Sequence, residues 1–262
     1  MLDAKNIDVS LGGKPVLRNA RLHARAGRLA VIVGPNGSGK TTLLRAVTGD
    51  LPHSGSVHLN GQDTRKIPAW ALAEIRAVLP QASQLAFPFT VHEVVRLGLV
   101  GTTALRPDAA QLPTRALERV GLAGYGGRYF QELSGGEQAR AQLARVLLQV
   151  WQPVVDGVPR WLFLDEPVAA LDIGHQLQVM TLAREFARAG GGVVAVMHDL
   201  NLTAMFADDI TLMLDGQVLA QGGVGDVLTD ANLSRAYGCA LRVSRLPRAG
   251  EAFILPQAAE IA

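Results

Sequence analysis

Two glycine-rich stretches, far apart in the chain, are suited to the same chemistry. The first, Gly34-Pro35-Asn36-Gly37-Ser38-Gly39-Lys40-Thr41-Thr42, has the spacing of a phosphate-binding loop. Its glycines let successive backbone N–H groups turn inward onto phosphate oxygens, and the helix expected to begin near Gly39 presents its positive end to the same anion. Lys40 adds a mobile cation for the β- and γ-phosphates, and Thr41 supplies the hydroxyl expected on Mg²⁺. The second stretch, Leu133-Ser134-Gly135-Gly136-Glu137-Gln138, places Ser134 as N-cap of another helix. Two glycines there leave N–H groups open to an anion, which a simple cap does not require. Two anion cradles suggest a nucleotide clamped between two surfaces. The second cradle is expected to lie too far from its own Lys40 to share a nucleotide, so a second copy of the chain must bring it.

The apolar run Leu162-Phe163-Leu164 ends in Asp165-Glu166, two carboxylates at the strand edge where parallel sheets hold ligands. Asp165 is expected to hold Mg²⁺ through water. Adjacent strand-end side chains point in different directions, which leaves Glu166 as the candidate general base for an attacking water. His198 directly follows the β-rich run over residues 192–197 and should emerge at the same edge. Gln81, after Ala77-Val78-Leu79-Pro80, ends another short strand and could reach the metal or the water through its amide.

Those side chains need a sheet to carry them. Residues 4–11 and 17–23 read as a hairpin around Gly12-Gly13, and residues 28–33 as a buried strand running into the phosphate loop. The runs at 161–165 and 192–197 are each followed by a helical pattern, which implies parallel strands with crossover helices, while Asp215-Gly216 marks a closing hairpin. Between 81 and about 159 the pattern becomes helical, with segments at 90–100 and 114–122 separated by Gly/Pro-rich loops. Beyond Ser134, Leu143, Val146, Leu147 and Val150 recur at helical spacing as a core-facing stripe.

With 262 residues and 48% hydrophobic composition, the chain can bury a sizeable core in one domain carrying a subdomain. Its apolar runs are far shorter than the roughly 20 residues needed to cross a bilayer. The start, Met1-Leu2-Asp3-Ala4-Lys5, lacks the pattern of an export signal, which makes a cytosolic location the expectation. The single cysteine, Cys239, excludes an internal disulfide and is expected to be a buried, inert thiol. A net charge of +2 without a long basic run argues against nucleic acid as a partner.

Taken together these residues resemble the ATP-binding subunits of ABC transporters, over nearly the whole chain. The resemblance implies an α/β P-loop NTPase (RecA-like) core with a parallel sheet, an N-terminal antiparallel β part and an inserted helical subdomain, with 1–80 and 160–262 as ATPase core and 81–159 as the helical part. Gln81 then matches the Q-loop glutamine, Leu133 to Gln138 the signature, Asp165 and Glu166 the Walker B pair, Ala170-Leu171-Asp172 the D-loop, and His198 the switch histidine. The family implies a head-to-tail dimer burying two ATP, each between the phosphate loop of one copy and Ser134, Gly135, Gly136 and Glu137 of the other. Mg²⁺ would lie near Thr41, Gln81 and, through water, Asp165. It further implies a transmembrane permease dimer, an indirect periplasmic or surface substrate-binding protein, and a peripheral position on the cytoplasmic face of a bacterial inner membrane. Arg76-Ala77-Val78-Leu79-Pro80-Gln81, Leu171-Asp172-Ile173-Gly174-His175-Gln176 and His198-Asp199-Leu200-Asn201-Leu202 look like the importers of iron-siderophores, vitamin B12 and haem, and the extra segment 151–160 is similar to the haemin importers. Residues 87–97 are the expected surface for a short helix of the membrane partner, with Val91, Val94 and Val95 as ordinary packing.

Two positions depart from the family. Residues 9–17 contain no Phe, Tyr or Trp to stack on adenine, which leaves Leu11 or Val16 to pack on the ring, and Val168 stands where a hydroxyl residue is common. A soluble ABC ATPase of DNA repair or translation is disfavoured by the lack of a long coiled-coil insertion, a second motor copy and a basic stripe. A haem-binding module on His53, His58, His92 or His175 is disfavoured because isolated histidines on polar elements are mostly solvated.

Overall fold

The computed structural model describes residues 1–81, 87–246 and 252–259. Strands β1 (Leu2–Leu11) and β2 (Lys14–Ala24) form an antiparallel hairpin whose turn, Gly12-Gly13, has φ of +56° and +78°, the left-handed pair that a two-residue hairpin requires. Strand β3 (Leu29–Val33) leads through the glycine-rich loop into α1 (Lys40–Thr48). Strands β4 (Ser56–Leu59) and β5 (Gln62–Asp63) extend the first hairpin into a four-stranded antiparallel sheet in the order β2-β1-β4-β5. Helix α2 (Ala69–Ile75) then returns the chain to β6 (Arg76–Leu79).

A helical stretch follows, with α3 (Val91–Arg96), α4 (Gly101–Ala104), α5 (Leu112–Arg119) and α6 (Gly135–Gln149). The short hairpin β7 (Val154–Val155) and β8 (Val158–Pro159) occupies the extra segment at 151–160. The remaining chain alternates β9 (Trp161–Asp165), α7 (Ile173–Arg188), β10 (Gly192–Val196), α8 (Leu200–Phe206), β11 (Asp209–Leu214), β12 (Gln217–Gly222), α9 (Val224–Val227) and α10 (Asp230–Tyr237). The second sheet has the order β12-β11-β3-β10-β9-β6, parallel throughout except for the edge strand β12.

Every residue of β3, β9 and β10 is buried, which explains why these strands read as unbroken apolar runs. Their side chains alternate between two cores. Ala30, Ile32, Trp161, Phe163, Val194 and Val196 pack on α1 and the antiparallel sheet, whereas Leu29, Val31, Leu162, Leu164, Val193 and Ala195 share a cluster with α6 and α7. That second cluster continues into Val94, Leu112 and Leu117, so α6, with its stripe Leu143, Val146, Leu147 and Val150 buried, joins the helical stretch to the sheet. Val168, the departure noted above, belongs to the same cluster and fills core volume.

Three local expectations change. Helix α3 stops at Arg96 rather than running to 100, because Gly98 passes so close to α6 that a Cβ there would lie 2.2 Å from the Arg145 carbonyl oxygen. Helix α5 ends at Arg119 instead of 122, ahead of Gly121 at φ +71°. Cys239 is exposed rather than buried, since Gly238 caps α10 in a left-handed turn and the chain leaves the core there. Among the described residues no helix is long and apolar enough to cross a membrane.

Phe163 is fully buried and stacks on Trp161 with ring centroids 6.3 Å apart. Phe163→Ala should therefore cost about 3–5 kcal/mol of stability, read from urea unfolding; a loss under about 1 kcal/mol would refute this packing.

Candidate functional site

Strand register brings the chemistry together. Leu79, Leu164, Ala195 and Val31 lie in one row across β6, β9, β10 and β3. Gln81, Glu166, Met197 and Val33 follow that row at equal offset, so the ends of four strands empty onto one edge. At that edge Gly34 turns to φ +148°, and a Cβ there would lie 2.3 Å from the Met213 carbonyl oxygen, so glycine alone fits. Gly39 caps α1 at φ +97°, with Leu17 Cδ2 only 2.7 Å from where its Cβ would stand. The loop is thus pressed against β2 and β11.

Lys40 is buried and folds back on the loop, its Nζ donating to the carbonyl oxygens of Gly34 at 2.9 Å and Pro35 at 3.0 Å. Burial pulls its pKa below the usual lysine value, partly offset by Glu166 and Asp165. Ser38 Oγ is buried without a hydrogen-bond partner in the protein, as expected of a hydroxyl awaiting an external oxyanion. Thr41 Oγ1 donates to Asp165 Oδ1 at 3.0 Å. Burial pushes the Asp165 carboxyl above the ordinary range, the neighbouring Glu166 charge adding to the shift against the Thr41 hydrogen bond. A hydroxyl, a buried carboxylate and the Gln81 amide form an oxygen-rich set of the kind hard divalent cations take.

Glu166 sits at φ +51°, a left-handed conformation rare outside glycine, while its N–H still donates to the Val196 carbonyl at 3.2 Å. Oε2 accepts from Gln81 Nε2 at 2.8 Å, and Oε1 lies 2.5 Å from His198 Nε2. The two carboxylates are thereby separated in role, one against Thr41 and the other between Gln81 and His198. A cleft of about 480 Å³ opens over this group, with Asn36, Gly37, Lys40, Thr41 and Thr42 on one wall and Gln81, Glu166 and His198 on the other. Val16 also lines it, whereas Leu11 does not. Gly39 lines it as well, and Gly34, Pro35 and Ser38 complete the loop.

The second cradle lies elsewhere in the chain. Ser134 caps α6, accepting at Oγ from Glu137 N–H (3.3 Å), while Glu137 Oε2 accepts from Ser134 N–H (2.8 Å). Glu137, the last of the signature residues named above, is thus engaged as half of a capping box. Gly135 has open space around its Cα, but a Cβ on Gly136 would stand 3.2 Å from the Ala170 carbonyl oxygen, so this glycine also admits the segment ending at Asp172. Ser134, Gly136, Glu137, Arg140, Asp172 and His175 line a cleft of about 330 Å³ that shares no lining residue with the first. A narrower space of about 230 Å³ between the two runs from Gln81 and Glu166 to Gly135 and Gln138.

Sequence inspection missed Arg140 and gave His175 no part in the second cradle. Arg140 follows Gly136 by one helical turn and so shares its face, a signal legible once α6 is accepted. The four histidines weighed as haem ligands stand on separate elements: His53 after α1, His58 on β4, His92 on α3 and His175 on α7. Among the described residues no group of three metal-type side chains converges.

A family model described as ABC transporter matches residues 17–169. The hemin import ATP-binding protein HmuV of Jannaschia sp. (strain CCS1) is 60% identical over 260 residues, covering 99% of this chain and 95% of the relative. The protein of the same name from Roseobacter denitrificans (strain ATCC 33942 / OCh 114) is 60% identical over 98% of each chain. Among solved structures, the ATP-binding cassette MJ1267 superposes with a TM-score of 0.77 at 25% identity, over 90% of this chain and 98% of that one. The dimeric cassette MJ0796 gives 0.73 at 26% identity, over 86% and 99%. With both the fold and the sequence matched over most of its length, this chain belongs to the ABC transporter family.

Proposed function

We infer that the chain is the ATP-hydrolysing subunit of an importer for haemin, and that two copies close head to tail on two ATP and reopen on hydrolysis. The observation that carries the ATPase reading is the placement of Glu166 between Gln81 and His198 beside a phosphate loop whose Ser38 hydroxyl has no partner. The haemin cargo rests on the name shared by full-length relatives at 60% identity.

Lys40 exchanges the Gly34 and Pro35 carbonyls for phosphate oxygens, a favourable trade because an anion compensates its buried charge better than two dipoles. Thr41, Gln81 and, through water, Asp165 fit Mg²⁺, which when bound neutralises charge on the β- and γ-phosphates. The Glu166 carboxylate accepts the proton of the attacking water, and His198 and Gln81 hold it on that line. Ser134 and the N–H groups of Gly135 and Gly136 of the second copy cover the terminal phosphate; the separation of the two clefts within one chain supports this sharing. Loss of that phosphate removes the contacts to both copies, which converts hydrolysis into reopening. Phe87 and Leu97, exposed on either side of the buried Val91, Val94 and Val95, suit a helix from a membrane-embedded permease dimer, itself fed by a separate substrate-binding protein. The chain would then sit peripherally on the cytoplasmic face of the membrane.

Three measurements test this. Glu166→Gln should retain ATP binding, lower turnover by at least about a hundredfold and leave an ATP-dependent dimer on size-exclusion chromatography; unchanged turnover rejects the base. Val16→Ala, which removes two methyl groups from the nucleotide cleft, should weaken ATP and GTP alike by about fivefold, roughly 1 kcal/mol, while Leu11→Ala changes either by less than about twofold. With the permease co-purified, haem should stimulate ATPase activity more than a siderophore or vitamin B12; preferential stimulation by either of those would reassign the cargo.

A further inference from the structure

Two buried hydroxyls without a partner in the protein stand beside the same glycine. Ser38 Oγ lies 2.9 Å from where a Cβ on Gly34 would be, and the phosphate site accounts for it. The other is Tyr237 Oη, which nothing in that site uses. Tyr237 closes α10, a helix that packs on β11 and β12, and its ring rests on the larger core cluster while Gly238 ends the helix in a left-handed turn. Strand β11 is also the element that confines Gly34, through the Met213 carbonyl oxygen. Helix and loop thus meet across one strand end.

A buried hydroxyl left unpaired is unfavourable, and pairing it in another state of the protein stabilises that state. The group in reach is the Gly34 backbone. Burial pushes the Tyr237 phenol above its usual range and the Gly34 N–H works against that rise, yet the two complete no hydrogen bond. The phenol is neutral at physiological pH and able to accept from an N–H. Gly34 is meanwhile held through its carbonyl oxygen, which with that of Pro35 accepts from Lys40 Nζ. That tether is what a triphosphate removes. We propose that Tyr237 is a positioning residue of the phosphate loop: as Lys40 leaves the loop carbonyls for the triphosphate, the Gly34 N–H closes onto the Tyr237 hydroxyl, and the bond gained there favours nucleotide binding. The inference rests on the exchange of Lys40 partners given above. It makes α10 a support of the nucleotide site, although Tyr237 does not line the cleft.

Tyr237→Phe removes the oxygen and keeps the ring. ATP affinity, measured by isothermal titration calorimetry in the Glu166→Gln background so that the nucleotide persists, should fall about fivefold, the effect of losing one ordinary hydrogen bond. In the hydrolysing protein the same change should raise KM by a similar factor and leave kcat within about twofold, because the bond forms on binding and persists through turnover. The melting temperature without nucleotide should be unchanged or higher, since phenylalanine leaves no buried oxygen unpaired, whereas the rise produced by a fixed concentration of ATP should be smaller. Unchanged ATP affinity in Tyr237→Phe overturns the proposal, because the hydroxyl is then idle in both states. A lower nucleotide-free melting temperature with the ATP-induced rise intact overturns it as well, since the hydroxyl would then be paired before ATP arrives. If the Glu166→Gln parent binds no ATP at all, the reading of the phosphate loop itself fails, and this inference with it.

Discussion

A single backbone conformation organises the hydrolytic side of this molecule. Glu166 turns left-handed directly after β9, at a cost of order 1–3 kcal/mol for a side-chain-bearing residue. The strain is sustained by its N–H bond to Val196 and by the two side-chain contacts, each from a different strand end. The rigid parallel sheet is what makes this possible. Five-residue strands buried on both faces cannot slip in register without exposing both cores, so the offsets that align Gln81, Glu166 and Met197 are held by packing energy far larger than the strain they support.

The same economy of rigid parts explains the second cradle. Helix α6 begins at Ser134 in open solvent and ends deep in the cluster beneath the sheet, so its exposed N-terminus is anchored by its own buried half. Gly136 allows the 170–172 segment to lie against that N-terminus, and this segment continues from Glu166. Within one chain, the Glu166 carboxylate and the start of α6 are thus joined by a handful of residues while facing different clefts. A closing dimer would sense both through one short piece of backbone.

Much of the site was legible in the chain because its chemistry is local. The phosphate loop, the cap at Ser134 and the hairpins at Gly12-Gly13 and Asp215-Gly216 depend on neighbouring residues, and spacing alone specifies them. The strands were legible because burial on both faces demands continuous apolar runs. Helix ends were less so: α3 and α5 stop where Gly98 and Gly121 meet other elements, and no periodicity announces a collision with a distant carbonyl. Cys239 shows the reverse error, since a residue type that usually hides was carried out of the core by the left-handed turn at Gly238.

What the amino-acid order determined by itself was the set of local devices: a glycine-rich loop before a helix, a capped glycine-rich helix start and a pair of strand-end carboxylates, each built from contiguous residues whose backbone geometry follows from their own types. What only the folded molecule decided was convergence and direction. Gln81, Glu166 and His198 meet because three strands share a register, Glu137 turns to its own cap, Val16 rather than Leu11 lines the cleft over the glycine-rich loop, and His175 finds Asp172. Such outcomes depend on packing between segments far apart in the chain, where no local pattern carries the information.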